Sequence, residues 1–446
     1  MWHIKIVQSG SSITSHAGLT LIGLAINERT DLAEAAQSVA PLRPDAISHS
    51  DILRSYVALL CLGKSDFEAI TAMRGDDFFA EALGIDRIPS EGTVRQRLDT
   101  HAAAFLPLVQ TAALDFLRRS GARLTPVTGG LMPLDVDVTP FDNSRTHKEG
   151  VSYTYKGMDG YAPIAAYLGC EGYCVGFELR EGSQHCQKDT PAFLERILEQ
   201  AAALTKAPLL LRLDSGNDAI ENIAVVEAHN ERHPDAAPVH YLIKWNPRQD
   251  DPRWWLEVAE QHGDWSSPRP GKRVALFEVS ETRLFHGYEY SLRRVMRVTE
   301  RTLDKQGQAF LIPEIEIEGW WHTLYYSPEK IIALYADHGT SEQYHSEFKT
   351  DLDVERLPSG KFATNALVLA CAQLAYNILR FLGQNGLLGH DSPIRHPAKR
   401  RRLRTVLQEL MSVAARLVRS GRRLILSFGR SCPVVPIFRR LSRQLA

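Results

Sequence analysis

Between Leu334 and Leu357 the chain reads LYADHGTSEQYHSEFKTDLDVERL. Glu342, His345 and Lys349 are spaced three and four apart, which projects them along one helical face, with Tyr335 and His338 just upstream. An amphipathic helix with a wet face carries the same pattern, so acids elsewhere must decide what this face is for. Two stand out. Asp137 lies near the end of the alternating stretch GGLMPLDVDVTPFD, and Asp214 ends the continuous apolar run APLLLRLDSG. Strand ends in an open α/β sheet are where side chains converge on ligands. An aspartate straight after a buried strand has no packing reason, although hydrogen bonding to the following Ser-Gly-Asn turn would also account for Asp214. Asp135 shares a face with Asp137, two residues away on one strand, and competes for the same role; Asp142 is a third candidate. Glu347 rivals Glu342 but faces away from Lys349 and is expected to be solvated.

Carboxylates gathered in this way repel one another, and a hard cation relieves the repulsion. All-oxygen ligands favour Mg²⁺ or Mn²⁺ over zinc. Two such ions can clamp the attacking and leaving oxygens of a phosphodiester.

The elements that would position these residues are legible from periodicity. The first ~125 residues carry apolar residues at three- and four-residue steps and predict short helices, with Ser50, Ser65 and Ser90 as caps and Gly84 as a stop. LGIDRIPSEGTVRQRLD fits either a turn feeding a recognition helix for DNA, with Arg95 and Arg97 near its start, or a plain helical bundle with solvated arginines. From Leu131 the order is β-β-β-α-β-α-β, three antiparallel strands followed by αβ units. Residues 246–330, which hold Trp254, Trp255, Trp320 and Trp321, predict an all-β insertion. These tryptophans suit a small β core, or stacking on unpaired bases. After it helices return, ending in a basic helix and a strand. The expected divisions are 1–125 (helical DNA-binding or dimerisation module), 126–245 and 331–385 (two parts of one α/β domain), 246–330 (insertion) and 386–446 (basic region).

Composition narrows the class. With 446 residues the chain has room for two or three domains. The net charge is −1, yet from Asp391 onward fourteen Lys/Arg face only Asp391 and Glu409. That one-sided charge predicts contact with a polyanion backbone. The start, MWHIKIVQSGSS, lacks the apolar core of a signal peptide. The most apolar stretch, Ala366–Leu382, is interrupted by Gln373 and Asn377 and predicts a buried helix. Six cysteines form no disulfide framework. Cys170, Cys174, His185 and Cys186 match no standard zinc spacing and are read as ordinary sheet residues.

The spacing Tyr335, two residues, His338, three residues, Glu342, six residues, Lys349 resembles the Y-(2)-R-(3)-E-(6)-K signature of DDE-type transposases of bacterial insertion sequences. DVTPFD resembles that family's first-aspartate strand, which favours Asp137 over Asp135. LRLDSG resembles its second-aspartate strand. The stretch from Asp351 to Arg380, including Ala375-Tyr376-Asn377, resembles the segment C-terminal to its glutamate. The resemblance implies a ribonuclease H-like mixed sheet with a β insertion, and cut-and-paste transposition. In that reaction water cuts the DNA at the element end and the freed 3′-hydroxyl attacks the target. Asp137, Asp214 and Glu342 would be catalytic and hold Mg²⁺ or Mn²⁺; Tyr335, His338 and Lys349 would grip DNA phosphates. Double-stranded DNA would be the partner, bound by a homodimer in the synaptic complex, in the cytoplasm and away from membranes. His338 departs from the signature's arginine and lacks its forked guanidinium. A transposase-derived DNA-binding protein that no longer cuts, and a metal-free carboxylate-pair hydrolase, are the alternatives.

Overall fold

A computed structural model describes residues 4–8, 10–421 and 423–446. Met1 to His3 and Ser9 of the N-terminal stretch, and Arg422 of the basic tail, lie outside the described residues. The fold is mixed α/β around one nine-stranded sheet. Its strands are β1 (Met132–Val138), β2 (Ile164–Leu168), β3 (Tyr173–Glu178), β4 (Leu209–Leu213), β5 (Val239–Lys244), β6 (Asp264–Arg269), β7 (Lys272–Phe285), β8 (Tyr288–Leu303) and β9 (Ala309–His322). The spatial order is β6-β7-β8-β9-β5-β4-β1-β2-β3. β1 runs parallel to β4, and β4 to β5; the remaining neighbours are antiparallel. β4 is buried throughout, as its unbroken apolar run predicts.

The helices that matter for the site are α1 (Glu91–Ser120), α2 (Thr190–Leu204), α3 (Ile220–Arg232), α4 (Pro252–His262), α5 (Pro328–Ala336), α6 (Ser341–Ser346), α7 (Phe362–Gly386) and α8 (Val435–Leu445). α7 is the axis of the molecule. It is apolar enough to span a bilayer, yet 94% of its most apolar window is buried inside the fold. Its polar residues have a defined task. β3 bulges at Val175, since Ala166 pairs with Gly176 and Tyr167 with Cys174. A bulge frees backbone groups. Asn377 accepts from the Cys174 N–H at 2.9 Å and donates to the Cys174 carbonyl at 2.8 Å, where Gln373 also donates.

Two expectations change. The insertion is not all-β: Asp251 caps α4 and Pro252 opens it, a start that suits a helix. The insertion also extends the central sheet, because β9 pairs through Trp320–His322 with Leu242–Lys244 of β5. Trp255, Trp320 and Trp321 are buried, whereas Trp254 is exposed. The basic helix of the tail is short, and the expected strand is one arm of a hairpin. After a helical turn at Leu403–Met411 the chain forms this hairpin, Ala415–Ser420 with Arg423–Phe428, whose first strand also pairs with Ile13–Thr14. Leu403, Val406, Leu410 and, on α8, Ile437 and Leu441 join the same core as the N-terminal helices and the sheet. Several tail arginines are consumed by docking: Arg402 on Asp351, Arg440 on Asp391, Arg419 on Glu81.

The N-terminal helices form as expected, with shifted caps. Ser90 accepts from the Thr93 N–H, and Gly84 takes the left-handed conformation. Ser48 rather than Ser50 caps His49–Leu60, and Asp66 rather than Ser65 caps the next turn. α1 packs against α7 and is kinked at His101. Arg95 is paired with Glu91, and Arg97 turns inward to His49 and the Ile47 carbonyl.

Candidate active site

β1 and β4 pair in parallel, and their register joins Asp135 to Arg212 and Val136 to Leu213. Continued by one residue, it brings Asp137 alongside Asp214, which follows the end of β4. Asp137 keeps 20% of its side-chain surface exposed. Its Oδ1 accepts from the Val138 N–H at 2.7 Å, and its Oδ2 lies 3.3 Å from His345 Nε2. The other His345 nitrogen, Nδ1, lies 3.0 Å from the Tyr167 hydroxyl. Burial by itself would raise the Asp137 pKa; the hydrogen bond and charge of His345 hold it below the usual carboxylate range. Asp214 shifts the other way, raised by burial and then by the neighbouring charge of Asp137. One Asp214 oxygen accepts from the Asn217 side chain at 2.8 Å, so the turn after β4 does engage it.

Asp135 has a different environment. Arg212 grips it with two hydrogen bonds of 2.6 and 2.7 Å, and His338 Nδ1 approaches to 2.9 Å. Against the cost of burial, Arg212 and then His338 hold its pKa down. Arg212 also donates to the Leu334 carbonyl at 2.7 Å, near the end of α5. The network therefore clamps α5 and the following 3-10 turn, Asp337–Thr340, onto the sheet. Glu342 sits immediately beyond that turn, in α6. The clamp sets where its carboxylate can go.

α6 is held from below by Tyr344, whose ring covers Gly172; a Cβ at that position, where φ is +70°, would lie 2.2 Å from the ring. A π-helical turn, Glu347–Asp351, continues α6. Glu347, expected to be solvated, is buried and ion-paired with Arg380 of α7. Its burial anchors the π turn to the core.

Glu342 is exposed and has no ion-pair or hydrogen-bond partner among the described residues. It lines an open cleft of about 520 Å³ with Asp137, His345, Lys349, Tyr155 and Lys156. The Tyr155 ring is 65% exposed, yet its hydroxyl turns in and donates to the Val138 carbonyl at 3.2 Å. Its pKa is pushed up to about 12, by burial of the hydroxyl and then by the charges of Asp137, Asp214 and Glu342 among others. Of the three acids, Asp137 and Glu342 line this cleft. Lys349 is half-buried against the Phe141 ring; burial draws its pKa down, while Glu355 and Asp137 pull it up. Tyr335 is tilted against Trp320 and His338, and burial, then Asp214 and Asp137, raise its hydroxyl pKa.

Other candidates lie elsewhere. His338 is 5% exposed and faces Asp135 instead of the cleft. Asp142 accepts from the Ser144 N–H in a turn, the largest cause of its lowered pKa. Among the described residues, Cys170, Cys174, His185 and Cys186 do not converge on a common point, and all six cysteines are free. Sequence reasoning missed Tyr155, Lys156 and Arg212. For Arg212 the available signal was an arginine inside the apolar run LLLRL.

Comparison with known proteins adds the family. The profile described as Transposase DDE domain group 1 matches residues 2–446. No curated protein matches the chain. Solved structures that match include one titled "Cryo-EM structure of piggyBac transposase synaptic complex with hairpin DNA". It is 10% identical over 90% of this chain and 83% of that one, with a TM-score of 0.41. With the family profile running over nearly its whole length, the chain belongs to the DDE transposases of that group.

Proposed function

We propose that this transposase cuts DNA at the ends of a mobile element and joins the freed 3′-hydroxyl to target DNA, with Asp137, Asp214 and Glu342 holding Mg²⁺ or Mn²⁺. One observation carries the reading: two carboxylates stand side by side at the ends of adjacent parallel strands, with a third, unpartnered among the described residues, on the cleft that Asp137 lines. The donors fit a hard cation. All are oxygens, and the Asp214 pKa is raised by burial and then by the charge of Asp137 beside it. When bound, such ions activate the attacking oxygen and offset charge at the phosphodiester.

The protein's own residues have separable tasks. The row Tyr167, His345, Asp137 fixes the orientation of the first carboxylate. Lys349 and Lys156 supply positive charge for a phosphate at the cleft, with Tyr335 farther in. His338 is assigned to positioning, because its hydrogen bond to Asp135 steadies the turn that carries Glu342. The order β3-β2-β1-β4-β5, three antiparallel strands and then two parallel to the first, supports a ribonuclease H-like domain. Double-stranded DNA is the partner, held by a homodimer at the synapse, and the cytoplasm is the compartment.

The test uses full-length protein and a plasmid carrying the gene with its native flanks. Nicking and joining in Mg²⁺ or Mn²⁺ should vanish in EDTA and in Asp137→Asn, Asp214→Asn and Glu342→Gln, with DNA binding retained. Cleavage that survives EDTA would point to a metal-free carboxylate pair. Cleavage that survives all three substitutions would remove the site.

A further inference from the structure

The end of β4 remote from Asp214 carries a second cluster, independent of the proposed reaction. Glu199 lies on α2, His229 lies on the last turn of α3, and His233 caps that helix. One oxygen and two ring nitrogens, one atom from each residue, fall within 4.8 Å of one another. His229 and His233 are one helical turn apart, so their rings share a face, with centroids 4.7 Å apart. His233 Nε2 is 3.0 Å from Glu199 Oε1, and His229 Nδ1 is 3.2 Å from the same oxygen.

His229 gives the second observation. Its side chain is 4% exposed, and its approach to Glu199 misses hydrogen-bond geometry. Nδ1 is therefore a buried nitrogen without a hydrogen-bond partner among the described residues, aimed into the cluster. A cleft of about 630 Å³, lined by Thr205, Lys206 and Asp235 among others, gives access. One cation competes: Arg232 donates to Glu199 Oε1 at 2.9 Å. It also lies 3.5 Å from Glu195 and is 45% exposed, so it has another acid to turn to.

We propose that Glu199, His229 and His233 form a transition-metal site of the zinc class that clasps α2 to α3. Two imidazole nitrogens and one carboxylate suit Zn²⁺, whereas the all-oxygen cluster at the other end of β4 suits Mg²⁺. Three protein ligands leave one position for water.

The test uses full-length, metal-stripped protein with Asp214→Asn in every arm, so that the carboxylate cluster competes less. Co²⁺ should develop the intense visible bands of a four-coordinate site at one equivalent, and Zn²⁺ should bleach them and raise the melting temperature. His233→Ala, at a side chain 41% exposed and therefore safe for folding, and Glu199→Gln should each abolish the bands and weaken Zn²⁺ binding at least ~100-fold, beyond the usual loss of an outer-shell partner. Absent bands and an unchanged melting temperature in the parent would overturn the site. So would bands that persist in His233→Ala.

Discussion

Asp135 and Asp137 lie two residues apart on one face of one strand, and the structure treats them in opposite ways. Asp135 is 3% exposed and enclosed by a bidentate guanidinium and an imidazole. Asp137 meets one imidazole nitrogen and its own backbone, and the remainder of its carboxylate opens on the cleft. A buried carboxylate whose oxygens are all claimed is part of the frame. One left with spare lone pairs beside another acid is available for chemistry. The inner carboxylate, through Arg212 and Leu334, steadies the segment that leads into Glu342, on the cleft that the outer one lines.

Substitutions can break this division of labour. The largest effect is expected from Asp137→Asn: cleavage should fall on the order of 10³-fold or more, with melting temperature nearly unchanged. If Asp135→Asn were the variant that folds normally and fails to cut, the assignment would be reversed. Asp135→Asn should act on stability, because it strands the buried Arg212 charge. The expected loss is ~3–5 kcal/mol, measured by denaturant unfolding. An apolar replacement of both partners, Asp135→Leu with Arg212→Met, should recover much of that loss.

His338 sharpens the comparison through pH. Burial lowers its pKa, but the hydrogen bond and charge of Asp135, with a further pull from Asp137, raise it on balance above the ordinary histidine value. A group whose folded pKa is raised stabilises fully below its unfolded value, roughly 6.5, and loses that contribution as pH rises through the folded value. Melting temperature should therefore fall as pH climbs above about 6.5, and the slope should flatten in His338→Gln. A variant with the native slope would free His338 of the clamp. The smallest effect is expected from Tyr155→Phe, which removes one hydroxyl bond to the Val138 carbonyl. Cleavage should change by less than ~10-fold, the scale of a single neutral hydrogen bond. A larger loss would make the hydroxyl a direct participant.

The sequence alone determined what depends on near neighbours. The apolar run Leu209–Leu213 had to be a central strand, and its aspartate had to emerge at the end. The periodicity around Ala366–Leu382 had to be a core helix, since only burial satisfies so many apolar side chains with two amides among them. The spacing from Tyr335 to Lys349 tied one helical segment to a family. Tertiary structure decided which groups face one another across long separations. Arg212 claims Asp135 only because β1 and β4 pair in that register, 77 residues apart. Glu347 is buried, not solvated, because Arg380 of α7 lies behind it. Helical phase reports which way a side chain points, and says nothing about what stands there. The same limit hid the Glu199, His229 and His233 cluster, whose residues come together only when α2 and α3 pack side by side. α4 is the exception, for its Asp-Pro start was legible in the chain; the aromatic and β-rich residues around it outweighed that local signal. How far the tail arginines reach DNA was also a tertiary question, because Arg402, Arg419 and Arg440 are paired with acids of the fold itself.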